Sequence, residues 1–434
     1  MKRTTFILSS LFLSAVMTWE CGHRTETTVA TPATTVDVCA AALAAGPEQN
    51  DRDRAITRLQ QDARKDHTAR SALERLGFAY VARARINNDA GDYKLAEMAA
   101  ACLDERYPGE PQTLLLRGHV LHQLHRFAEA EQIARVLIAR RTFVLDYGLL
   151  GDALMEQGRL SEAAAAYQTM VDLKPFYQSY TRAAHLRWLK GDLDGARGMM
   201  RLAAESASPR DPESVAWAWT RLAAYELQSG RLDAAMSAAE TALRYQPDYA
   251  AALLAQGRIL LARNRVSDAV SVLRNAARLN PLPEYQWVLA DALRFGGLGA
   301  EADDVEENLI ARGRETDPRT LALYLATRRT NVATAVSLAQ DELRARHDVF
   351  TLDAHAWTLA ASGRIAEAVP EIARAVGEGT RDGRLFLHAG LIHAAAGHSD
   401  EAQRWLTQAN QLRWTLLPSE RKELATHLNG TRIN

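Results

Sequence analysis

An alanine recurs along this chain at an almost constant spacing. Successive members of the series are 33 or 34 residues apart, except for one step of 39 residues, and the series comprises Ala96, Ala130, Ala163, Ala196, Ala235, Ala269, Ala302, Ala335, Ala368 and Ala402. A fixed period of this size is typical of stacked, identical supersecondary units that each contact only their neighbours. We therefore expect one elongated solenoid rather than a single globular core.

Each period contains the pattern of two helices joined by a tight turn. In the clearest copy, Leu150 and Leu154 lie four residues apart on one face of a first helix. Gly158 then ends that helix, because glycine readily adopts a positive φ. A second helix is predicted to follow with Ser161 as its N-cap, and the small side chain of Ala163 lets the two helices approach closely.

The same copy resembles the tetratricopeptide repeat family. The resemblance rests on residues at the offsets of that family's signature, namely Tyr147, Leu150, Gly151, Leu154, Gly158, Ala163, Tyr167 and Pro175. Further copies surround Ala235 and Ala269, and about ten copies extend over residues 68–416. The resemblance implies an all-α fold, a right-handed superhelical solenoid of about ten tetratricopeptide-type helix-turn-helix repeats.

The charges of the chain are balanced. There are 52 Lys and Arg residues against 53 Asp and Glu residues, and no basic cluster is interleaved with aromatic residues. A near-zero net charge supplies no basic field for nucleic acid, so we expect no nucleic-acid partner.

The amino terminus predicts export. A basic start precedes an apolar stretch that is short for a membrane span and suits a signal peptide over residues 1–20. Cys21 stands where a bacterial lipoprotein carries its lipid, although Glu20 departs from the small residues of that motif. The alternatives are cleavage near residues 28–30 and an uncleaved anchor. Each of them places the array in the periplasm or the envelope, behind a flexible tether at 21–37.

Both ends of the array need covering, because an end repeat would otherwise expose its stacking face. Residues 38–67 are predicted to form N-terminal capping helices, and residues 417–434 a C-terminal cap or tail. Cys39 lies in the first of these segments. In an oxidising compartment it could pair with Cys102, but we favour the interpretation of Cys102 as a small core residue of a second helix.

Two irregularities interrupt the array. Gly77 and Gly91 are fourteen residues apart, which predicts a first hairpin that projects near residues 87–89. The step of 39 residues contains Asp211 and Pro212, a good N-cap followed by a first-turn proline. The alternatives are a merely longer surface loop, a local change of superhelical angle and a loop that contacts a partner.

Tetratricopeptide arrays usually bind peptides through first-helix residues that point into the concave groove. Those offsets fall in this chain on Phe78, His119, His122, Asp152, Met155, His185, Trp188, Arg258, Trp287, Asp291, Arg294, Trp357 and Leu391. Exposed aromatic residues flanked by mixed charge suit an extended segment or a partner helix. The tryptophans could equally pack as core against a neighbouring helix.

These patterns predict a scaffold that binds a protein or peptide partner along the concave face. The alternative is a structural adaptor in an envelope assembly, secretion or polymer-export machine, which would bind through its convex face and loops. His119, His122 and His125 diverge around one helix, so we expect no metal site there. The sequence has no catalytic or phosphate-cradling motif, so we expect neither a cofactor nor enzymatic activity.

Overall fold

A computed structural model describes residues 37–46, 48–65, 69–87 and 90–430. These residues contain 23 α-helices, one short 3-10 helix at Arg413–Thr415 and no β-strand. In chain order the α-helices are α1 Val38–Leu43, α2 Asp51–Asp62, α3 Ala69–Asn87, α4 Ala90–Arg106, α5 Pro111–Gln123, α6 Phe127–Arg140, α7 Val144–Glu156, α8 Leu160–Leu173, α9 Tyr177–Leu189, α10 Leu193–Ser206, α11 Pro212–Gln228, α12 Leu232–Tyr245, α13 Ala250–Ala262, α14 Val266–Leu279, α15 Pro283–Phe295, α16 Gly299–Thr316, α17 Pro318–Arg328, α18 Val332–Ala345, α19 Val349–Ala361, α20 Ile365–Gly377, α21 Gly383–Ala395, α22 Ser399–Gln411 and α23 Pro418–Gly430.

The predicted signal peptide at 1–20, Cys21 and all but the last residue of the tether at 21–37 lie outside the described residues. Among the described helices, none has both the length and the apolarity needed to cross a bilayer.

Twenty of the helices pair into ten hairpins, from α3/α4 (hairpin 1) to α21/α22 (hairpin 10). The periodic alanines lie on the second helix of each hairpin, and all ten are buried, with at most 2% exposure. A larger side chain at these positions would push the first helix away. The all-α solenoid that the period predicts is confirmed.

The turns inside hairpins 2 to 10 are tight, with three residues between the two helices. Gly158 adopts a φ of 75° between α7 and α8, as its position in the repeat predicts. The prediction that Ser161 is the N-cap is wrong, because α8 already begins at Leu160 and Arg159 occupies the N-cap position. The Arg159 guanidinium pairs with Glu162, 2.6 Å away in the first turn. The same spacing of partners recurs in the turns at Arg126–Glu129, Arg265–Asp268 and Arg364–Glu367.

The N-terminal helices are bonded to the first hairpin. The Tyr80 hydroxyl donates a 2.7 Å hydrogen bond to the carbonyl of Ala42, in α1. Cys39 and Cys102 form a disulfide between α1 and α4. The favoured interpretation of Cys102 as a plain core residue is therefore wrong: its side chain is fully buried and also bonded. It reaches Cys39 because α1 packs directly along α4.

Both irregularities appear as longer helices. Helix α3 has 19 residues and α4 has 17, against 13 for α5, which confirms the extended first hairpin. Residues 88 and 89, which link the two helices in the sequence, lie outside the described residues. Helix α11 also has 17 residues and begins at Pro212, where the Asp211 carboxylate accepts a 3.3 Å hydrogen bond from the Ser214 amide.

The array coils until later hairpins rest on earlier ones. The His347 amide, before α19, donates a 3.0 Å hydrogen bond to the Glu156 carbonyl at the end of α7. One step further along, the Thr380 hydroxyl donates to the Leu189 carbonyl over 2.5 Å. We call this line of contacts the seam. It joins the turn of hairpin 3 to the link between hairpins 8 and 9, so one superhelical turn takes between five and six hairpins.

Glycines allow the close approach along the seam. A Cβ on Gly158 would lie 2.6 Å from the His347 carbonyl oxygen, and one on Gly191 would lie 2.4 Å from that of Gly379. A Cβ on Gly230, in the next hairpin, would lie 2.8 Å from the Trp414 ring nitrogen. The turn glycines of three successive hairpins therefore serve both the turn and the contact with the next superhelical turn.

The last helix, α23, folds back onto earlier hairpins. The Ser419 amide donates a 3.2 Å hydrogen bond to the Asp291 carboxylate of α15, and the Arg421 guanidinium donates to the Leu261 carbonyl of α13. Glu420 pairs with Arg384 of α21 over 2.5 Å. The segment predicted as a cap or tail thus contacts first helices from hairpins 6, 7 and 10.

Candidate binding site on the concave face

The first helices present two adjoining cavities. The larger one, which we call the wide cavity, has a volume of about 760 Å³ and is lined by Ala82, Asp152, Met155, Tyr167, Tyr177, Gln178, Thr181, Arg182, His185, Asp211, Glu213, Ser214, Trp217 and Arg221. The second, which we call the chamber, has a volume of about 420 Å³. It is lined by Trp217, Thr220, Arg221, Ala223, Ala224, Leu227, Gln228, Ala251, Leu254, Ala255, Arg258, Ile259, Glu284, Tyr285, Leu323, Phe350, Asp353, Asp382, Arg384 and Thr415.

Two residues of α11 line both cavities. The Trp217 side chain is 37% exposed, whereas Trp188 of the preceding hairpin is only 8% exposed. Arg221, four residues further along the same helix face, places its guanidinium 5.7 Å from the Trp188 ring and 5.4 Å from the Tyr225 ring. Trp217 and Arg221 are therefore at the junction of the two cavities.

An ion pair stabilises the wall of the wide cavity. The Arg182 guanidinium contacts both carboxylate oxygens of Asp152, at 2.8 and 2.6 Å, and the Tyr167 hydroxyl donates to the same carboxylate over 2.7 Å. Burial alone would raise the pKa of Asp152, but the charge and hydrogen bonds of Arg182 outweigh it and lower that pKa. Asp152 is thus held ionised by its neighbours and is not available to a partner without breaking this pair.

His185 lies between that ion pair and the aromatic residues. Its ring centroid is 5.3 Å from that of Trp188. Burial, aided by the positive charge of Arg221, lowers the pKa of His185 to about 3. The imidazole is therefore neutral at physiological pH and offers one donor and one acceptor to the wide cavity.

The chamber is walled by both superhelical turns. The Phe350 ring of α19 stacks on Trp188 of α9 with centroids 5.4 Å apart, and the Trp188 ring nitrogen donates a 2.6 Å hydrogen bond to Gln228. Since α9 and α19 belong to hairpins 4 and 9, this stacking continues the seam into the interior. The chamber therefore depends on the coil being closed.

The structure divides the residues that the sequence predicts for partner binding. Asp152, Met155 and His185 line the wide cavity, and Arg258 lines the chamber. Trp188 forms part of the wall between hairpins 4 and 9 but is buried.

The other predicted residues are engaged elsewhere. Asp291 is bonded to α23 through Ser419. Trp287 lies under the Arg384 guanidinium at 4.4 Å, and Trp357 stacks on His388 at 4.2 Å; they are only 4% and 8% exposed. Arg294 pairs with Glu306 and Asp303. Of the two alternatives for the tryptophans, the structure thus shows packing as core. Leu391 lies beside Trp357 in a separate small cavity.

Hairpin 2 and its neighbour carry the remaining predicted residues. His119 packs edge-on against Phe78 with ring centroids 5.7 Å apart, and His122 and His125 both pack on Phe127. Within the residues that the structure describes, no group of His, Cys, Asp and Glu side chains is arranged to hold a metal ion.

Sequence reasoning missed Trp217, Arg221 and Phe350. None of the predicted concave-face residues lies on α11, the helix that carries both Trp217 and Arg221. A tryptophan and an arginine four residues apart on a first helix were the available signal. Phe350 reaches the site only through the seam, for which the sequence carries no local signal.

Two stretches of the chain match profiles of the tetratricopeptide repeat family, at residues 148–212 and 226–292. No curated protein shows significant sequence similarity to the chain. Similar solved structures include a thermophilic tetratricopeptide repeat protein of Thermus thermophilus, 21% identical with a TM-score of 0.38, for which the match covers 44% of this chain and 99% of the other.

Two crystal structures of MamA are also similar. The first is 17% identical to this chain, and the match covers 38% of this chain and 94% of the other. The second is 18% identical, and the match covers 39% of this chain and 91% of the other. The TM-score is 0.32 for both. The chain contains tetratricopeptide repeats. Arrays of such repeats generally mediate protein–protein interactions, and their fold is typically a non-enzymatic scaffold.

Proposed function

We propose that this array of tetratricopeptide repeats is an interaction scaffold that binds a protein or peptide segment along the concave face of hairpins 3 to 5. The observation that carries the proposal is the junction of the wide cavity and the chamber at the exposed side chain of Trp217. Tryptophan is among the residue types most enriched at binding hot spots, where it is flanked by groups that exclude water.

The fold restricts where on the concave face a partner fits. Helix α23 covers first helices of hairpins 6, 7 and 10 through Ser419, Glu420 and Arg421. The wide cavity, in contrast, is open space between α7, α9 and α11. An extended segment there would lay one side chain on each side of Trp217, and Arg221 and His185 would supply hydrogen bonds.

We also propose that the protein is exported and works in the periplasm or the envelope. The disulfide between Cys39 and Cys102 supports this location, since disulfides persist mainly in oxidising compartments. Lipid attachment at Cys21 remains part of the proposal. Labelling cells with radioactive palmitate tests it: label in the wild type that is lost in Cys21→Ala supports attachment, and equal labelling of both rejects it.

One observation favours the alternative of an adaptor that binds through its loops. Phe295 and Leu298, at the turn between α15 and α16, are 55% and 44% exposed, and Phe295 is the most exposed large apolar side chain of the described residues. A Cβ added to Gly297 beside them would have no neighbouring group within 4 Å, so this turn stands clear of the rest of the array.

Photo-crosslinking in the producing cells distinguishes the concave-face scaffold from the adaptor that binds through its loops. A benzoylphenylalanine at position 217 tests the concave face, and one at position 295 tests the turn. The proposed function requires a discrete crosslinked protein from position 217. A crosslinked protein from position 295 alone would assign the partner to the loops and reject the concave site.

Binding by purified protein then tests the anchor. Trp217→Ala is expected to weaken binding of the identified partner about thirtyfold, the usual cost of about 2 kcal/mol for truncating a hot spot. Phe143→Ala is the matched control, because Phe143 is 38% exposed yet lines neither cavity. Equal affinities of the two variants would contradict the proposal.

A further inference from the structure

The chamber has the size of a small-molecule site. First helices of hairpins 5 to 10, together with Thr415, contribute its lining. Its volume of about 420 Å³ lies within the range of small-ligand pockets, which is about 300–1,000 Å³. Six hairpins surround this space, which adjoins the wide cavity at Trp217 and Arg221.

The lining combines an apolar wall with charged groups. Leu254, Ile259, Leu323, Tyr285 and Phe350 supply aliphatic and aromatic surface, and all but Phe350 are buried core residues whose positions are fixed by packing. Pockets that bind organic molecules are lined predominantly by such side chains, with a few polar groups that set orientation.

Most charged groups of the chamber already have partners. Arg384 pairs with Glu420 over 2.5 Å, and Asp353 contacts the His388 ring nitrogen over 2.9 Å. Asp382 caps α21, where its carboxylate accepts hydrogen bonds from two backbone amides at 3.0 Å each. These three side chains already stabilise the fold, so they are not the groups that would bind a ligand.

Two arginines keep unused donors. Arg258 makes one long contact of 3.4 Å with Glu284, and its buried Nε atom has no hydrogen-bond partner. Arg221 lies over the rings of Trp188 and Tyr225, and within the described residues no carboxylate pairs with it. Because that Nε atom is closed off from solvent, the donors that a ligand in the chamber would reach are the terminal guanidinium nitrogens of Arg258, whose side chain is 26% exposed. The hydrogen-bond donors that the chamber leaves without a partner therefore belong to positively charged side chains.

We propose that the chamber binds a small amphipathic organic anion, with its anionic head on Arg221 and Arg258 and its apolar body against Trp217, Tyr285 and Phe350. A body of about ten to twenty non-hydrogen atoms suits this volume. Trp217 and Arg221 line both cavities, whereas Arg258 lines only the chamber, so the Arg258 variant tests this inference separately from the partner-binding function.

Fluorescent probes test this on the full chain. 8-Anilinonaphthalene-1-sulfonate carries an apolar body and one anion, and N-phenyl-1-naphthylamine has the same body without the charge. We expect saturable binding of one anilinonaphthalenesulfonate per chain, at least tenfold tighter than that of the neutral analogue. Octanoate should displace the bound probe, and octanol should not.

Variants then assign the head-group site. Arg258→Gln and Arg221→Gln should each weaken the anionic probe by tenfold or more, because each removes a charged donor to the head group, and should leave the neutral analogue unchanged. Arg344→Gln is the matched control, because that side chain is 74% exposed on α18. The displacement experiment needs no variant, so it decides the question even where a substitution prevents folding. Equal affinity for the two probes, or unchanged affinity in the Arg258 and Arg221 variants, would overturn the inference.

Discussion

Replacing the seam glycine Gly191 should destabilise the protein more than replacing an equivalent glycine away from the seam. Gly191 and Gly363 both follow the first helix of a hairpin, and their φ angles are 80° and 81°. An added Cβ would lie 2.4 Å from the Gly379 carbonyl oxygen at Gly191, whereas at Gly363 it would have no neighbour within 4 Å. The pair Gly191→Ala and Gly363→Ala therefore differs only in the seam contact.

The expected losses in the free energy of unfolding follow from the contacts at each glycine. Both variants lose about 1–2 kcal/mol because alanine is disfavoured in the left-handed conformation. At Gly191 the Gly379 carbonyl must also retreat, which breaks the adjacent hydrogen bond from the buried Thr380 hydroxyl to Leu189. Losing that bond costs about 1–3 kcal/mol, and the exposed Lys190–Glu378 pair adds less than about 1 kcal/mol. We expect Gly191→Ala to lose about 2 kcal/mol more than Gly363→Ala.

Urea unfolding monitored by circular dichroism measures the two losses. Hydrogen exchange adds the location: the segments 187–192 and 376–382 should exchange faster in Gly191→Ala and be unchanged in Gly363→Ala. Equal free energies of unfolding for the two variants, with unchanged exchange in both segments, would refute the seam as a stabilising contact.

Three further predictions concern other parts of the array. Cys102→Ala should lower the free energy of unfolding by about 4 kcal/mol, as a disulfide across 63 residues predicts, and a reductant should shift the wild type equally in thermal melting. The pKa of His185 falls from 6.5 to about 3 on folding, so between these pH values the unfolded chain binds a proton that the folded chain does not. The free energy of unfolding should therefore be highest above pH 6.5 and decline as the pH falls towards 3. In melting experiments across that range, His185→Gln should flatten this decline. Ala163→Leu should cost about 1–3 kcal/mol in urea unfolding, whereas Leu at the exposed Ala165 of the same helix should change stability by less than about 0.5 kcal/mol.

The hairpins could be predicted from the sequence because their causes are local. A buried alanine such as Ala163 and a turn glycine such as Gly158 act within one repeat, and the repeat occurs ten times. The disulfide was only one of two alternatives, since Cys39 lies outside the period and its position depends on how α1 packs on α4.

The site was less accessible to sequence reasoning for a geometric reason. The contact between Trp188 and Phe350 depends on the small rotation between neighbouring hairpins, summed from hairpin 4 to hairpin 9. No local pattern encodes that sum. The docking of Ser419 on Asp291 has the same origin, which is why a predicted tail instead covers part of the predicted concave face.

The seam also limits how this chain can change length. In an open array, gaining or losing one 33- or 34-residue copy leaves every remaining interface intact. In this chain, the Gly191 turn of hairpin 4 faces Gly379 in the link between hairpins 9 and 10. Deleting one copy between hairpins 4 and 8 would shift the later hairpins by one position. The Gly191 turn would then face the residues that follow hairpin 10. Duplication or loss of an internal unit would therefore have to be accompanied by new matching surfaces, so the number of copies between the two contacting turns is fixed by the fold itself.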